Sequence, residues 1–189
     1  MALPSDVTTT PGEDLELMRR VQSGDEAAFG VLMQRWERPV KAMIARLVLN
    51  AREAEDLSQE TFVRVWQQRG KFNPAYAFRS WIFSIAVNLA RNRLRWWRSR
   101  PEVALDEWMD TSGDALSGAA EVDRVERASA VREAIATLPS DLREAIVLSE
   151  YEQMSHAEIA ATVGATTKAV ENRVARARQK LRVMLSRWS

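Results

Sequence analysis

Along residues 13–35, Leu17, Val21, Ala28 and Leu32 recur at helical spacing, interrupted at Ser23-Gly24-Asp25, where SGDEAAF supplies an N-cap and acidic residues for a new first turn. The pattern predicts one helix, a turn and a second helix. Asn50, followed three residues later by Glu53, has the form of a capping box and opens a helix through AREAEDLSQETFVRVWQQ that Gly70 ends. GKFNPAYA is a loop, and a long helix runs from Phe78 until Pro101 stops it. On that helix Phe78, Ile82, Ile85 and Leu89 form one apolar face, and Phe83, Ala86, Ala90, Leu94 and Trp97 cover much of another. It is therefore packed on two sides, and a stripe of Trp81, Ser84, Asn88, Arg91, Asn92 and Arg95 is left over.

Periodicity lapses after Pro101. PEVALDEWMDTSGDALSGAA combines turn residues with acidic charge and reads as a linker, with Trp108 and Met109 as its candidates for docking. Helical spacing then returns: Val122, Val125, Ala128, Val131 and Ile135 carry one helix to Leu138-Pro139, Ser140 opens a second through Tyr151, and Ser155 with Glu158 caps a short third. After Gly164 a last helix runs from Thr166 or Thr167 toward Arg187, with Val170, Val174, Ala177, Leu181 and Met184 or Leu185 on one face. There is no strand pattern. The expected fold is all-α, with two small helical domains at 14–100 and 121–189, a flexible acidic linker at 101–120 and a disordered N-terminus at 1–13.

Composition narrows the chemistry. No apolar run approaches the roughly 20 residues needed to span a bilayer, and the N-terminus is polar and acidic without a leader pattern, so a cytoplasmic protein is expected. The absence of Cys excludes disulfides and thiolate metal sites, and a single His argues against a His-based metal site or a Ser-His-Asp arrangement within one chain. Neither catalytic residues nor a cofactor or metal is expected. The formal net charge is only +1, yet residues 70–100 carry +7 and 164–189 carry +6, while 101–130 carry −6 and 131–163 carry −4. Two basic blocks separated by acidic sequence point to two contacts with one polyanion.

The second basic block has the grammar of a helix-turn-helix. SHAEIAATVGATTKAVENRVARARQKLR contains a capped short helix, a turn glycine suited to left-handed geometry and a second helix with a Thr N-cap. In that second helix Thr167, Lys168, Glu171 and Asn172 occupy the N-terminal positions that reach base edges, with Arg173, Arg176 and Arg178 behind them for phosphates. In the first basic block, Phe72, Tyr76 and Trp81 are candidates for stacking on exposed bases, and Asn88, Arg91 and Arg95 for backbone and base contacts.

DLSQETFVRVW, FRSWIFSIAVNLARNRLR and the run from LPSDLREAIVLSEYEQ through the helix-turn-helix resemble, in order, regions 2 and 4 of a bacterial extracytoplasmic-function sigma factor of the sigma-70 superfamily. The resemblance covers about residues 14–100 and 121–185. It implies a dissociable subunit that binds core RNA polymerase and directs it to promoters. By the same resemblance, Asp56, Gln59, Glu60 and Val63 meet the clamp helices of the largest polymerase subunit, and the second domain meets the flap region. The loop from Phe72 through Asn73 to Tyr76, with Trp81, Asn88, Arg91 and Arg95, reads and melts the −10 element, and the recognition helix reads the −35 element. An anti-sigma factor is an implied further partner. Ser84, Asn92 and Glu171 depart from residues common in the family (Arg, Asp and Lys), which bears on the promoter sequence.

Helical spacing agrees with the polymerase contact, since Asp56, Glu60, Val63 and Gln67 share a face opposite Phe62, Val65 and Trp66. About 20 linker residues span roughly 25 Å as a coil, less than the ~50 Å between promoter elements one and a half turns apart. A compact free protein is therefore expected, its basic surfaces shielded by the acidic linker. One alternative is a stand-alone helix-turn-helix regulator that binds duplex without polymerase. Another is a carboxylate-metal nuclease built on Glu53, Glu55, Asp56 and Glu60.

Overall fold

The computed structural model describes residues 11–100 and 119–186. Residues 1–10 of the expected N-terminal tail and 101–118 of the expected linker, with Trp108 and Met109, lie outside the described residues, as do the side chains of Val122 and Val125 and residue Arg187, while 11–13 and 119–120 are helical. Every regular element among the described residues is helical.

Four helices build the first half: α1 (Pro11–Gln22), α2 (Glu26–Val48), α3 (Ala51–Gln67) and α4 (Phe78–Ser99), with a short 3-10 turn at Arg69–Lys71. Their boundaries follow local chemistry. Gly24 turns the chain at φ +94°, and Asp25 caps α2 by accepting from the Ala28 amide at 3.0 Å. Asn50 caps α3 by accepting from the Glu53 amide at 2.9 Å. Between these caps α2 runs through Pro39, whose ring nitrogen has no hydrogen to give the preceding turn, and ends on Leu49 in left-handed geometry without a glycine.

The core sits where α2, α3 and α4 meet. Trp36 packs edge-on against Phe78 and Phe83, with ring centroids 5.9 and 5.7 Å away, while Leu32, Val40, Met43 and Ile82 are fully enclosed. Helix α4 is buried on two sides as its spacing requires, from Phe78 to Trp97, with Leu94 partly covered. On α1 Val21 is enclosed as expected and Met18 is enclosed with it, while Leu17 is only partly covered. Asp14 is buried with them. Burial raises its pKa, but its carboxylate accepts from the Trp36 indole at 3.0 Å and from Arg35 at 3.1 Å, so the group is satisfied.

The second half contains α5 (Ala119–Ala136), α6 (Ser140–Glu150), α7 (His156–Val163) and α8 (Thr167–Met184). Ser155 and Glu158 form the reciprocal capping box that their spacing predicts, and the Glu158 carboxylate, which accepts from both the hydroxyl and the amide of Ser155, is held below its ordinary range. Gly164 ends α7 at φ +68°, and Thr166 caps α8 from the Ala169 amide at 3.2 Å. An alanine at 164 would occupy that left-handed well at a cost of about 1 kcal/mol. Val170, Val174 and Ala177 bury one face of α8. Ala128, expected on the apolar face of α5, is exposed, and of the pair Met184 or Leu185 at the end of α8 Met184 is exposed and Leu185 half-buried.

The halves touch. α6 packs on α8 and α7 on one side and on α2 on the other, while α7 packs on α4. This accounts for the run Ala145-Ile146-Val147-Leu148, where four successive positions are buried and no side of the helix is left for water. Buried apolar residues of both halves form one connected cluster.

Candidate nucleic-acid and protein interfaces

Three surfaces carry the predicted residues. The first is a face of α3. Asp56 and Gln59 are exposed, Val63 is 53% exposed and Glu60 is half-buried, whereas Phe62 and Val65 on the opposite side are in the core. Trp66, expected in the core, lies instead at the edge of a groove. Its ring stacks at a tilt on Phe29 with centroids 5.1 Å apart, and Arg69 covers it at 4.3 Å. The groove has a volume of about 380 Å³ and is lined mainly by apolar atoms, from Phe29 and Met33 of α2 and Phe62, Val63 and Trp66 of α3. Met33 and Phe29 were not among the predicted residues. Exposed apolar side chains flanking an acidic rim were the available signal, and Met33 at 37% exposure is one.

The carboxylates of α3 do not converge. Glu55 pairs with Lys41, Glu60 with Arg64 at 2.9 Å, and Glu53 is buried against Arg93 at 2.9 Å, while Asp56 stands in solvent. Among the described residues no cluster of three or more His, Asp or Glu side chains is placed to hold a metal ion. The nuclease constellation is therefore dispersed.

The second surface is the 69–76 loop with the leftover stripe of α4. Gln22, at the end of α1, donates to the carbonyls of Arg69 and Phe72 at 3.1 and 3.0 Å and so pins the loop to the bundle. No sequence spacing marks Gln22, since its partners are about fifty residues away. Asn73 folds the tip by accepting from the Ala75 amide at 2.9 Å, which lifts Tyr76 to 60% exposure. Phe72 is not exposed. At 3% accessibility its ring packs against Trp81 and Phe78 at 5.2 and 6.2 Å, where it wedges the loop against α4 and has no face for a base. Trp81 is partly buried, and Asn88 and Arg95 are exposed. Arg91 is engaged: its guanidinium grips both oxygens of Glu144 on α6 at 2.6–3.0 Å and also donates to the Val163 carbonyl at 3.1 Å. Donating to the Glu144 carboxylate raises the pKa of the Arg91 guanidinium above its ordinary value.

The third surface is α8. Thr167, Lys168, Asn172 and Arg176 are exposed along it, so the helix presents a continuous polar edge. Lys168 holds Glu171 at 2.9 Å, and that contact keeps the carboxyl below its ordinary range. Arg178 lies against Glu150, and Arg173 turns toward Asp141 at 3.6 Å. Of the three arginines expected behind the base-reading residues, two are thus directed to acidic side chains of α6.

An α-helical bundle with a loop-anchored cationic helix, followed by a capped helix-turn-helix, is the architecture of a sigma-type transcription factor. Residues 32–100 match the Sigma-70 region 2 family and residues 128–181 match Sigma-70 region 4. The chain is 33% identical over 183 residues to RNA polymerase sigma-H factor of Pseudomonas aeruginosa, an alignment covering 91% of this chain and 93% of that one. It is 32% identical over 176 residues to ECF RNA polymerase sigma-E factor of Escherichia coli K12, covering 89% and 92%. Among solved structures, CnrH in complex with the cytosolic domain of CnrY superposes with a TM-score of 0.70 at 30% identity, over 94% of this chain and 99% of that one. The sigma factor RpoE of Bartonella quintana shares the fold, with a TM-score of 0.65 at 24% identity over 84% of this chain and 96% of that one. The chain belongs to the ECF RNA polymerase sigma factors of the sigma-70 superfamily, proteins that direct polymerase to promoters. No helix among the described residues is long and apolar enough to cross a membrane.

Proposed function

We propose that the three surfaces divide the work of promoter-specific initiation between polymerase and the two promoter elements. The observation that carries this reading is their separation: an apolar groove with an acidic rim, a cationic helix with a projecting tyrosine, and an exposed recognition edge lie on different elements. The groove beside Asp56, Gln59, Glu60 and Val63 receives the clamp helices of core polymerase, its apolar floor supplying affinity and its carboxylates the orientation. Tyr76 and Trp81 take up the −10 bases, Asn73 and Asn88 supply hydrogen bonds, and Arg91 and Arg95 hold the backbone. Phe72 serves as the wedge under that loop. Thr167, Lys168, Glu171 and Asn172 read the −35 element, with Arg173, Arg176 and Arg178 on phosphates. The second half also meets the polymerase flap, and an anti-sigma factor occludes these surfaces, consistent with the protein-bound state in which the relative CnrH was solved. The chain acts without catalytic residues, metal or cofactor, in the bacterial cytoplasm.

Run-off transcription with purified core RNA polymerase tests this directly. RNA starting at discrete promoters only when both components are present is expected. Tight sequence-specific duplex binding by the protein alone, with no transcript on adding polymerase, would establish the stand-alone regulator instead.

A further inference from the structure

The two halves meet along a seam whose centre is apolar and continuous with the core. Where the seam reaches solvent its chemistry changes. A cleft of about 290 Å³ opens there, and the guanidiniums of Arg91, Arg95, Arg98 and Arg173 line it together with the carboxylates of Asp141 and Glu144. Arg91 is spent on Glu144, whose two oxygens it grips at 2.6–3.0 Å. Of the charged residues lining the cleft, that leaves Arg95, Arg98 and Arg173 against Asp141, so two positive charges are unmatched. Asp141 binds loosely, 3.6 Å from Arg173 with its side chain half exposed. Among the described residues Arg95 donates to the neutral Asn92 amide oxygen at 3.1 Å, and Arg98 reaches the Ser140 hydroxyl at 3.5 Å. A fifth guanidinium is close enough to feel this excess: burial lowers the pKa of Arg143, and repulsion from Arg98 lowers it further, outweighing the attraction of Glu144. Helix α6 begins at the same cleft, no side chain caps its first turn, and the partial positive charge of that terminus adds to the field.

We propose that this cleft is a binding site for a small diphosphate, whose two phosphate groups lie across the guanidiniums of Arg95, Arg98 and Arg173. Arg91, Arg95 and Arg98 stand at i, i+4 and i+7 on one face of α4, about 10 Å from first to last at ~1.5 Å per residue. Two linked phosphates bridge such a row. Planar guanidinium forks take phosphate oxygens in pairs, and the two unmatched charges call for an anion that carries at least two. The volume lies at the lower end of the roughly 300–1,000 Å³ of ligand pockets, which suits a compact anion. The Ser140 hydroxyl, an acceptor toward Arg98, keeps its own hydrogen to give to a phosphate oxygen. Binding requires no movement of the halves, because apolar packing already holds both walls of the cleft in place. Arg98 and Ser140 have no part in the polymerase and promoter contacts proposed above, so the site stands or falls independently of them.

Isothermal titration calorimetry of the full chain with pyrophosphate, in magnesium-free buffer at fixed ionic strength, is expected to show one site per chain. Saturating pyrophosphate should raise the melting temperature by about 5 °C, and sodium chloride at the same ionic strength should not. Arg98→Gln removes one charge-assisted contact and Ser140→Asp sets a carboxylate at the mouth of the cleft, so each should weaken binding about ten-fold. An acidic residue in the first turn of α6 favours the helix, so binding lost in Ser140→Asp is not a loss of fold. Arg132→Gln, an equal loss of charge at an exposed position of α5 outside the cleft, should leave the affinity as it is. Replacing pyrophosphate with ADP separates the sources: equal affinity admits the diphosphate of a nucleotide, and binding of pyrophosphate alone confines the site to the free anion. Heats that follow ionic strength whichever salt is added, or variants at 98 and 140 that bind pyrophosphate as the parent does, overturn the site. Should Arg98→Gln melt early, Ser140→Asp decides alone.

Discussion

The first half of the molecule presents two working faces, and they are treated differently. The α3 face with Val63 and the Phe29–Met33 groove is open to solvent, whereas the α4 face is partly covered by α6 and α7, with Arg91 paired to a carboxylate. The groove is lined by residues of α2 and α3 alone. The cationic stripe lies against the second half, where Arg91 pairs with Glu144 beside the apolar contacts that join the two halves. On the division of work proposed above, polymerase docking on α3 leaves the seam undisturbed, whereas DNA on α4 meets an Arg91 already paired with Glu144.

The sharpest way to break the comparison is to spoil the open face alone. Val63→Glu puts a charge on the groove wall at an exposed position, so the fold should be unaffected, while affinity for core polymerase should fall by about 2–3 kcal/mol, measured by competition binding. If the affinity held, the groove would not be the docking face. Next in size, Tyr76→Ala should weaken promoter opening by about 1–2 kcal/mol in a permanganate footprint while leaving polymerase affinity intact. Loss of both together would merge the two faces into one.

A subtler test lies inside the seam. Glu152 has two arginines nearby but at 3.8 and 4.0 Å, beyond hydrogen-bond reach, and burial prevails over their attraction and raises its pKa. A carboxyl raised in the folded state keeps its proton longer than in the unfolded chain. Stability from this group is therefore greatest below the ordinary carboxylate range and falls as pH rises from that range to the raised value. Glu152→Gln should remove this slope and raise the melting temperature at neutral pH by about 2 °C, the reverse of what loss of the well-paired Glu144 does. Equal melting points across pH for the two proteins would refute it. Smallest is Arg176→Ala on the exposed edge of α8, which should lower the salt slope of −35 duplex binding by about one unit without altering base preference.

Much of this was legible in the chain. Helix ends were readable wherever a side chain closes on its own backbone within a few residues, as at Asp25, Asn50, Ser155 and Thr166, or where Gly164 takes the left-handed turn. The stripe of α4 was readable because both its apolar faces were already accounted for. What escaped are groups defined by distant partners: Asp14 under Trp36, Gln22 beneath the loop, Met33 in the groove and Phe72 turned inward. The four successive buried positions on α6 were visible as a run, but a run does not say which two neighbours cover it.

The sequence by itself determined the helices, their caps, the helix-turn-helix and the separation of charge into blocks, because each depends on contacts a few residues apart. Only the tertiary structure decided that Arg91 meets Glu144, 53 residues onward, and that Arg143 meets the end of α2, 96 residues back. A charge seeks whatever opposite charge or open carbonyl the packing brings within about 3 Å, and that choice is made when the halves dock.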